Sequence, residues 1–303
     1  MVSAPLAGTV LERDGAAYRV ATPNGEVRAI LRGKTRRDAP RVVVGDRVRL
    51  EAEQAGGLFA IAEVEPRRSL LERRVPLGRG TRPIAANIDA VFVVTASLDP
   101  VPVPQLIDRL LVVAEANELP ATVVVNKIDL DPGDWIAARF ERAGYPVIRT
   151  CARTGAGMEE LRTALHGRVS VFTGPSGAGK SSLLNTLRPG LRLRTGEISA
   201  KVRRGRNTTV SAVLLPLDDA SYIVDTPGFS EVGLWGLEPR ELASCFPEMR
   251  PFIGECRFGD CRHVSEPGCR IREAVDEGII PADRLESYRM LLEETEGEPE
   301  EWE

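Results

Sequence analysis

Lys180 and Ser181 close the run Gly174-Pro175-Ser176-Gly177-Ala178-Gly179-Lys180-Ser181, whose G-x-x-x-x-G-K-S spacing is that of a phosphate-binding loop. Its glycines let backbone N–H groups turn inward around phosphate oxygens, and a helix starting there adds partial positive charge. On this reading Lys180 reaches the β- and γ-phosphates of a nucleotide. The Ser181 hydroxyl binds Mg²⁺, and Ser182 completes the binding set. A second group of residues reads a base. Asn126-Lys127-Ile128-Asp129 is N-K-x-D, and a carboxylate at Asp129 accepts hydrogen bonds from the N1–H and exocyclic amine of guanine. Adenine presents no such donor pair, so a wrong base would leave buried polar groups unpaired. Asn126 and Lys127 would buttress the loop and the base plane. A third group, Cys256, Cys261, His263 and Cys269, follows C-x4-C-x-H-x5-C. Three thiolates and one imidazole satisfy a closed, structural Zn²⁺ site.

Two further stretches complete the nucleotide chemistry. Thr150-Cys151-Ala152-Arg153-Thr154-Gly155-Ala156-Gly157 resembles the S-A-K loop of GTPases, with Cys151 where serine is common and the backbone near Ala152 at guanine O6. No partner histidine is evident for Cys151, so it reads as a small residue in a base-binding loop rather than a reactive thiol. After the phosphate loop come Gly205-Arg206-Asn207-Thr208-Thr209 and then Asp225-Thr226-Pro227-Gly228. Thr209, with Thr208 as the alternative, would close on Mg²⁺ and the γ-phosphate. Asp225 is the expected water-mediated partner of Mg²⁺, and the Gly228 N–H meets the γ-phosphate. Cys245 lies outside the metal spacing and reads as a buried hydrophobe.

These residues need strands and helices to hold them. Val169–Thr173 reads as a buried strand feeding the phosphate loop, and 182–187 as the first turns of a helix. Asp89–Thr95 is an apolar run of the parallel-strand kind, followed by helical spacing over Pro104–Glu118. Pro120–Asp129 is a strand ending in the guanine loop, which is where open α/β sheets carry their sites. A helix at Trp135–Ala143, a strand at Pro146–Arg149 and a helix at Met158–His166 follow. Strands are expected at Val210–Pro216 and Ser221–Val224. The guanine loops therefore precede the phosphate loop, the reverse of the usual GTPase order, and a circular permutation produces that order because domain termini lie close together. Near the N-terminus, Val10–Glu12, Ala17–Ala21, Glu26–Leu31, Arg47–Ala52 and Phe59–Val64 alternate between turn signals. Five short strands fit a small barrel; an OB-fold is the leading reading and an SH3-like barrel the alternative. Helices are expected at Arg270–Glu277 and Pro281–Leu292, before a frayed glutamate tail.

The expected architecture is multidomain. An OB-like β-barrel (1–66) and a basic linker (67–83) precede a circularly permuted α/β P-loop GTPase domain (84–232). An α-helical zinc-binding domain with an acidic tail (233–303) follows. The 303 residues are 43% hydrophobic, and no apolar run approaches the ~18 residues a bilayer span needs. Met1-Val2-Ser3-Ala4-Pro5-Leu6 lacks the charged and apolar regions of a signal peptide, so a cytoplasmic location with no membrane partner is expected; the chain is also expected to be a monomer. The net charge of −4 hides segregation. Arg28 to Arg49 holds eight basic residues against two aspartates, Arg192 to Arg206 six against Glu197, and the last eleven residues seven glutamates. Basic patches on an acidic total point to a nucleic-acid partner, with the loop from Arg32 to Arg41 tracking a phosphate backbone.

Together these motifs resemble the small ribosomal subunit biogenesis GTPases of the RsgA family over nearly the whole chain. The resemblance implies GTP hydrolysis to GDP stimulated by the 30S subunit, late maturation of that subunit, and 16S rRNA contacts by barrel and zinc domain. The chain departs from the family at Asn207 and Gly236, where members carry histidine, and a catalytic imidazole in either switch is not expected. In-line attack of water on the γ-phosphate would be stabilised by Mg²⁺, Lys180 and loop amides. Phe229 stands where a water-positioning glutamine is found in Ras-like enzymes, which predicts slow intrinsic hydrolysis and activation by a partner. The rival readings are a GTP-dependent RNA-binding switch with incidental hydrolysis, an ATP-driven RNA remodeller, and a zinc-anchored adaptor with an inactive nucleotide domain.

Overall fold

The computed structural model describes residues 6–31, 41–52, 58–74, 81–189, 212–225 and 237–296. The five N-terminal strands are β1 (Leu6–Asp14), β2 (Ala17–Thr22), β3 (Gly25–Leu31), β4 (Arg47–Ala52) and β5 (Leu58–Val64). They close into an OB-like barrel in the order β1-β2-β3-β5-β4, with β1 pairing β4 to complete the ring. Alternation turns Val10, Val20, Ala29, Val48, Leu50 and Ile61 inward. Bulges at Val10/Glu12 and Arg49/Leu50 supply the bend that closure demands. The arginines of the basic run do not stand alone here: Arg28 pairs with Asp14 at 3.0 Å and Arg49 with Glu63 at 3.2 Å. Arg32, Lys34, Arg36 and Arg37, and the run from Arg192 to Arg206, lie outside the described residues.

Residues 67–83, expected as a linker, instead carry β6 (Leu70–Arg74) and β7 (Thr81–Ala86), an antiparallel hairpin. Its short apolar positions were hidden among arginines, yet Leu71 and Ala85 are fully buried. The hairpin is bonded to the barrel. Val44 bridges Ala85, the Asn87 amide donates to Gly45 O at 2.9 Å, and Arg67 grips the buried Asp46 with two contacts of 2.7 and 2.9 Å. Such a bidentate pair fixes direction as well as distance.

Behind it lies a six-stranded sheet in the order β10-β9-β8-β11-β13-β12. Its strands are β8 (Ala90–Ala96), β9 (Ala121–Asn126), β10 (Val147–Arg149), β11 (Val169–Thr173), β12 (Val213–Pro216) and β13 (Tyr222–Asp225). Only β12 runs antiparallel. β8 is buried over its whole length, as a parallel strand covered on both faces must be. Val91 and Val93 face helices α1 (Pro104–Ala116) and α2 (Asp134–Arg142). Phe92 and Val94 face α3 (Met158–Leu165) and α4 (Lys180–Leu187), with Phe92 stacked on Phe172 at 5.4 Å.

The C-terminal segment adds two 3₁₀ turns, Pro239–Cys245 and Arg250–Phe252, then α5 (Arg270–Asp276) and α6 (Ala282–Glu296). Phe246, Met249, Leu285 and Leu291 join the same apolar cluster as α1 and α2. A buried charge network reinforces the joint. Asp108 on α1, fully buried, accepts from Arg139 on α2 at 2.8 Å and from Arg284 on α6. Arg139 also donates to Ser287 Oγ at 3.2 Å, and Arg284 to Glu248 at 3.3 Å. Part of the glutamate tail expected to fray is helical instead: Glu293 to Glu296 end α6, with Glu294 paired to Arg109 and Glu296 to Arg262. Among the described residues no helix is long and apolar enough to cross a membrane.

Candidate functional site

Gly174–Lys180 forms the turn between β11 and α4, at the carboxyl end of the parallel strands. Two glycines are required there. Gly174 has φ +136°, and a Cβ on it would lie 2.0 Å from the Val94 carbonyl oxygen. Gly179 has φ +92°, and its Cβ would lie 2.3 Å from the Asn126 amide nitrogen. The loop is thus folded so tightly on its neighbours that backbone alone fits. Lys180 Nζ donates to the carbonyls of Gly174 (2.6 Å) and Pro175 (2.8 Å), which arches it back over the loop. Ser181 and Ala178 are buried beneath; Pro175, Ser176, Gly177 and Ser182 line the rest of the turn and the helix start.

Asn126 joins three loops. Its Nδ2 donates to Ala178 O of the phosphate loop at 3.0 Å. Its Oδ1 accepts from Thr150 Oγ1 and from the Ala152 N–H, each at 3.3 Å. Lys127 sits at φ +65°, with its ammonium on Asp99 O and its carbonyl held by Ser97 Oγ at 2.7 Å. The Asp129 carboxylate accepts the Cys151 thiol on Oδ1 at 2.9 Å and the Arg153 guanidinium on Oδ2 at 3.1 and 2.7 Å. The Cys151 thiol, then Arg153, hold the Asp129 carboxyl below its ordinary value despite some desolvation. Cys151 is itself buried, and its loop closes through Gly155 N–H to Cys151 O at 2.9 Å. The sequence-derived residues Asn126, Lys127, Asp129, Cys151 and Ala152 are therefore gathered against Gly174–Ser181. Asp225 ends β13 beside β11, while its side chain, Thr208, Thr209, Gly228, Phe229, Asn207 and Gly236 lie outside the described residues. Sequence reasoning assigned no task to Ser97, Asp99, Thr150 or Arg153; the S-A-K resemblance was the one signal bearing on Arg153.

Cys256, Cys261, His263 and Cys269 present ligand atoms all within 4.8 Å of one another. His263 Nδ1 lies 3.5 Å from Cys256 Sγ and 3.4 Å from Cys269 Sγ. Ligands about 2.0–2.3 Å from one tetrahedral centre are about 3.5 Å apart, so the donor set fits a metal ion. Burial pushes the Cys261 thiol up to about 12 and lowers His263, so without a cation the cluster is held in its neutral form. The turn is set by Glu266, whose carboxylate accepts the N–H groups of Arg262 (2.8 Å), Val264 (2.9 Å) and Ser265 (3.0 Å). Burial would raise the Glu266 carboxyl, but these amides outweigh it and bring it to about 2. Cys245 stands apart, buried with its thiol raised to about 11 by desolvation.

The two loop groups thus meet at the phosphate turn, and the Cys3His cluster could hold a metal ion. The family model described as RsgA GTPase matches residues 64–235. A protein of Gemmatimonas aurantiaca named small ribosomal subunit biogenesis GTPase RsgA is 48% identical over 299 residues, covering 96% of this chain and 97% of that one. The protein of that name in Moorella thermoacetica is 40% identical, covering 95% and 96%. The crystal structure of YjeQ from Thermotoga maritima matches with TM-score 0.79 and 36% identity over 98% of this chain and all of that one. YloQ, a circularly permuted GTPase, matches in fold with TM-score 0.76 at 24% identity.

Proposed function

The chain belongs to the RsgA GTPase family, a GTP-hydrolysing enzyme of small-subunit biogenesis, and on that premise we propose that the 30S ribosomal subunit activates its hydrolysis of GTP to GDP. The observation that carries the reading is Asn126, whose one amide ties the guanine-reading loops to the phosphate loop. Base recognition at Asp129 and phosphate contact at Gly174–Ser181 are thereby coupled through a single side chain.

Lys180 and the loop N–H groups hold the β- and γ-phosphates, and Ser181, Thr209 and Asp225 would hold Mg²⁺. Bound with GTP, that ion neutralises charge on the phosphate oxygens. The Gly228 N–H would contact the γ-phosphate. Phe229 offers no polar side chain to the attacking water, so intrinsic turnover is slow and the ribosomal particle completes the site. Cys256, Cys261, His263 and Cys269 would hold one Zn²⁺, which supplies a structural crosslink and no open coordination position. The protein acts in the cytoplasm as a monomer, with barrel and metal domain against 16S rRNA in late maturation of the subunit.

The test compares phosphate release with and without purified 30S subunits, in wild type and Lys180→Ala. A stimulated rate of at least about ten-fold is expected, lost in the variant. Equal rates with and without subunits reject the activation.

A further inference from the structure

Asp129 is the carboxylate read above as the guanine acceptor, and both of its oxygens already carry protein donors. Arg153 directs two donors at one oxygen, Oδ2, Nε at 3.1 Å and Nη2 at 2.7 Å, while the Cys151 thiol donates to Oδ1 at 2.9 Å. The side chain of Asp129 is 15% accessible and that of Arg153 is 74% accessible. The arginine therefore reaches in from solvent and can swing away without unpacking anything. The donor pair it presents is chemically close to that of guanine. Both place two N–H groups of one planar, nitrogen-rich group side by side before a carboxylate.

We propose that Arg153 is a built-in stand-in for the base: its guanidinium caps Asp129 when no base is present, and guanine binds by exchanging its own donor pair for that of the arginine. This rests on the reading of Asp129 as the guanine acceptor. A base with both donors displaces the guanidinium and releases Arg153 into solvent at the rim of the site. A base with one donor leaves an acceptor to which Arg153 can return. Arg153 thus sets how strongly a missing 2-amino group is felt, and it keeps the carboxylate satisfied between nucleotides.

The direct readout is the Arg153 Nε–H signal in ¹⁵N-labelled full-length protein, assigned by its absence in Arg153→Lys. In the nucleotide-free chain it should stand apart from the solvent-exposed arginines. At saturating GDP it should move to their position. A signal that stays displaced at saturation, or is never displaced, overturns the proposal. A second measurement compares dissociation constants for GDP and inosine diphosphate, which keeps N1–H but lacks the 2-amino group. Arg153→Ala should raise the inosine-to-guanosine ratio of constants about two- to five-fold, the span that exposed ion pairs support. Because it is a ratio, lost electrostatic attraction for the phosphates cancels. An unchanged ratio counts against the exchange. Failure of the underlying reading looks different: the wild type would then bind GDP no better than ADP, whatever Arg153 does.

Discussion

On the proposed reading, base selection at Asp129 depends on one carboxylate staying ionised. Asp129→Asn should weaken GDP binding by about ten- to a hundred-fold, because charge-assisted hydrogen bonds to the base are lost. Titration with a fluorescent GDP measures this, and an affinity within two-fold of wild type would remove Asp129 from the base site. The sign of the pH effect follows from the depressed carboxyl. A carboxyl depressed in the folded state is fully ionised above its ordinary value, and its contribution is lost only as pH falls through the lowered one. GDP affinity should therefore stay level between about pH 7.5 and about pH 5. Cys151 was legible as a small residue in a base loop. That its thiol would bond the guanine-reading carboxylate was not, because a hydrogen bond across 22 positions leaves no local trace.

Elements decide how closely those residues meet. β11, the glycine turn and α4 form where the sequence put them, because a strand cannot turn into a helix against β8 unless residues without Cβ occupy the contacts. Gly179→Ala should reduce nucleotide affinity about ten-fold or more while leaving the fold intact, since its Cβ would strike the amide that couples the loops. Calorimetric titration with GDP checks it; retention of full affinity would mean Asn126 moves freely. The metal turn is built around His263 at φ +61° and the amides on Glu266. Removing the metal with a chelator should expose three thiols to a colorimetric reagent and lower the thermal midpoint by at least several degrees. Unchanged thiol reactivity would mean the cluster holds no ion. The residue types of this site were legible. The hairpin β6–β7 was not, since four of its neighbouring positions, Arg67, Arg68, Arg73 and Arg74, masked the apolar Leu70 and Leu71.

Across the whole molecule, the C-terminal segment is fastened to the nucleotide-binding sheet by a continuous apolar core and by Asp108, Arg139, Arg284 and Glu248. Burial works against the Arg284 charge, and Asp108 and Glu248 outweigh it, holding the guanidinium above its ordinary value. Arg284→Met would leave two buried carboxylates without that partner and should cost about 3–5 kcal/mol. Denaturant unfolding of the full chain measures it. A loss below about 1 kcal/mol would show that the remaining arginine repairs the network. The joint ties α1 and α2, which flank the guanine loop, to α6 beside the metal turn, so those parts are packed as one body.

The motifs and their order were legible along the chain. Glycine spacing, N-K-x-D and C-x4-C-x-H-x5-C demand particular residue types at short range, and their succession along the chain encodes the permutation. The alternation of short strands likewise encoded a closed barrel. What those groups meet is set by the folded arrangement. Asp129 is capped by Arg153, Arg28 and Arg49 of the barrel are paired with acidic neighbours, and a supposed linker is a hairpin bonded to the barrel. Asp108 and Arg284 are 176 positions apart and yet share one buried contact. Burial and charge pairing depend on which surfaces come together in space, and neither residue's immediate neighbours in the chain carry that information.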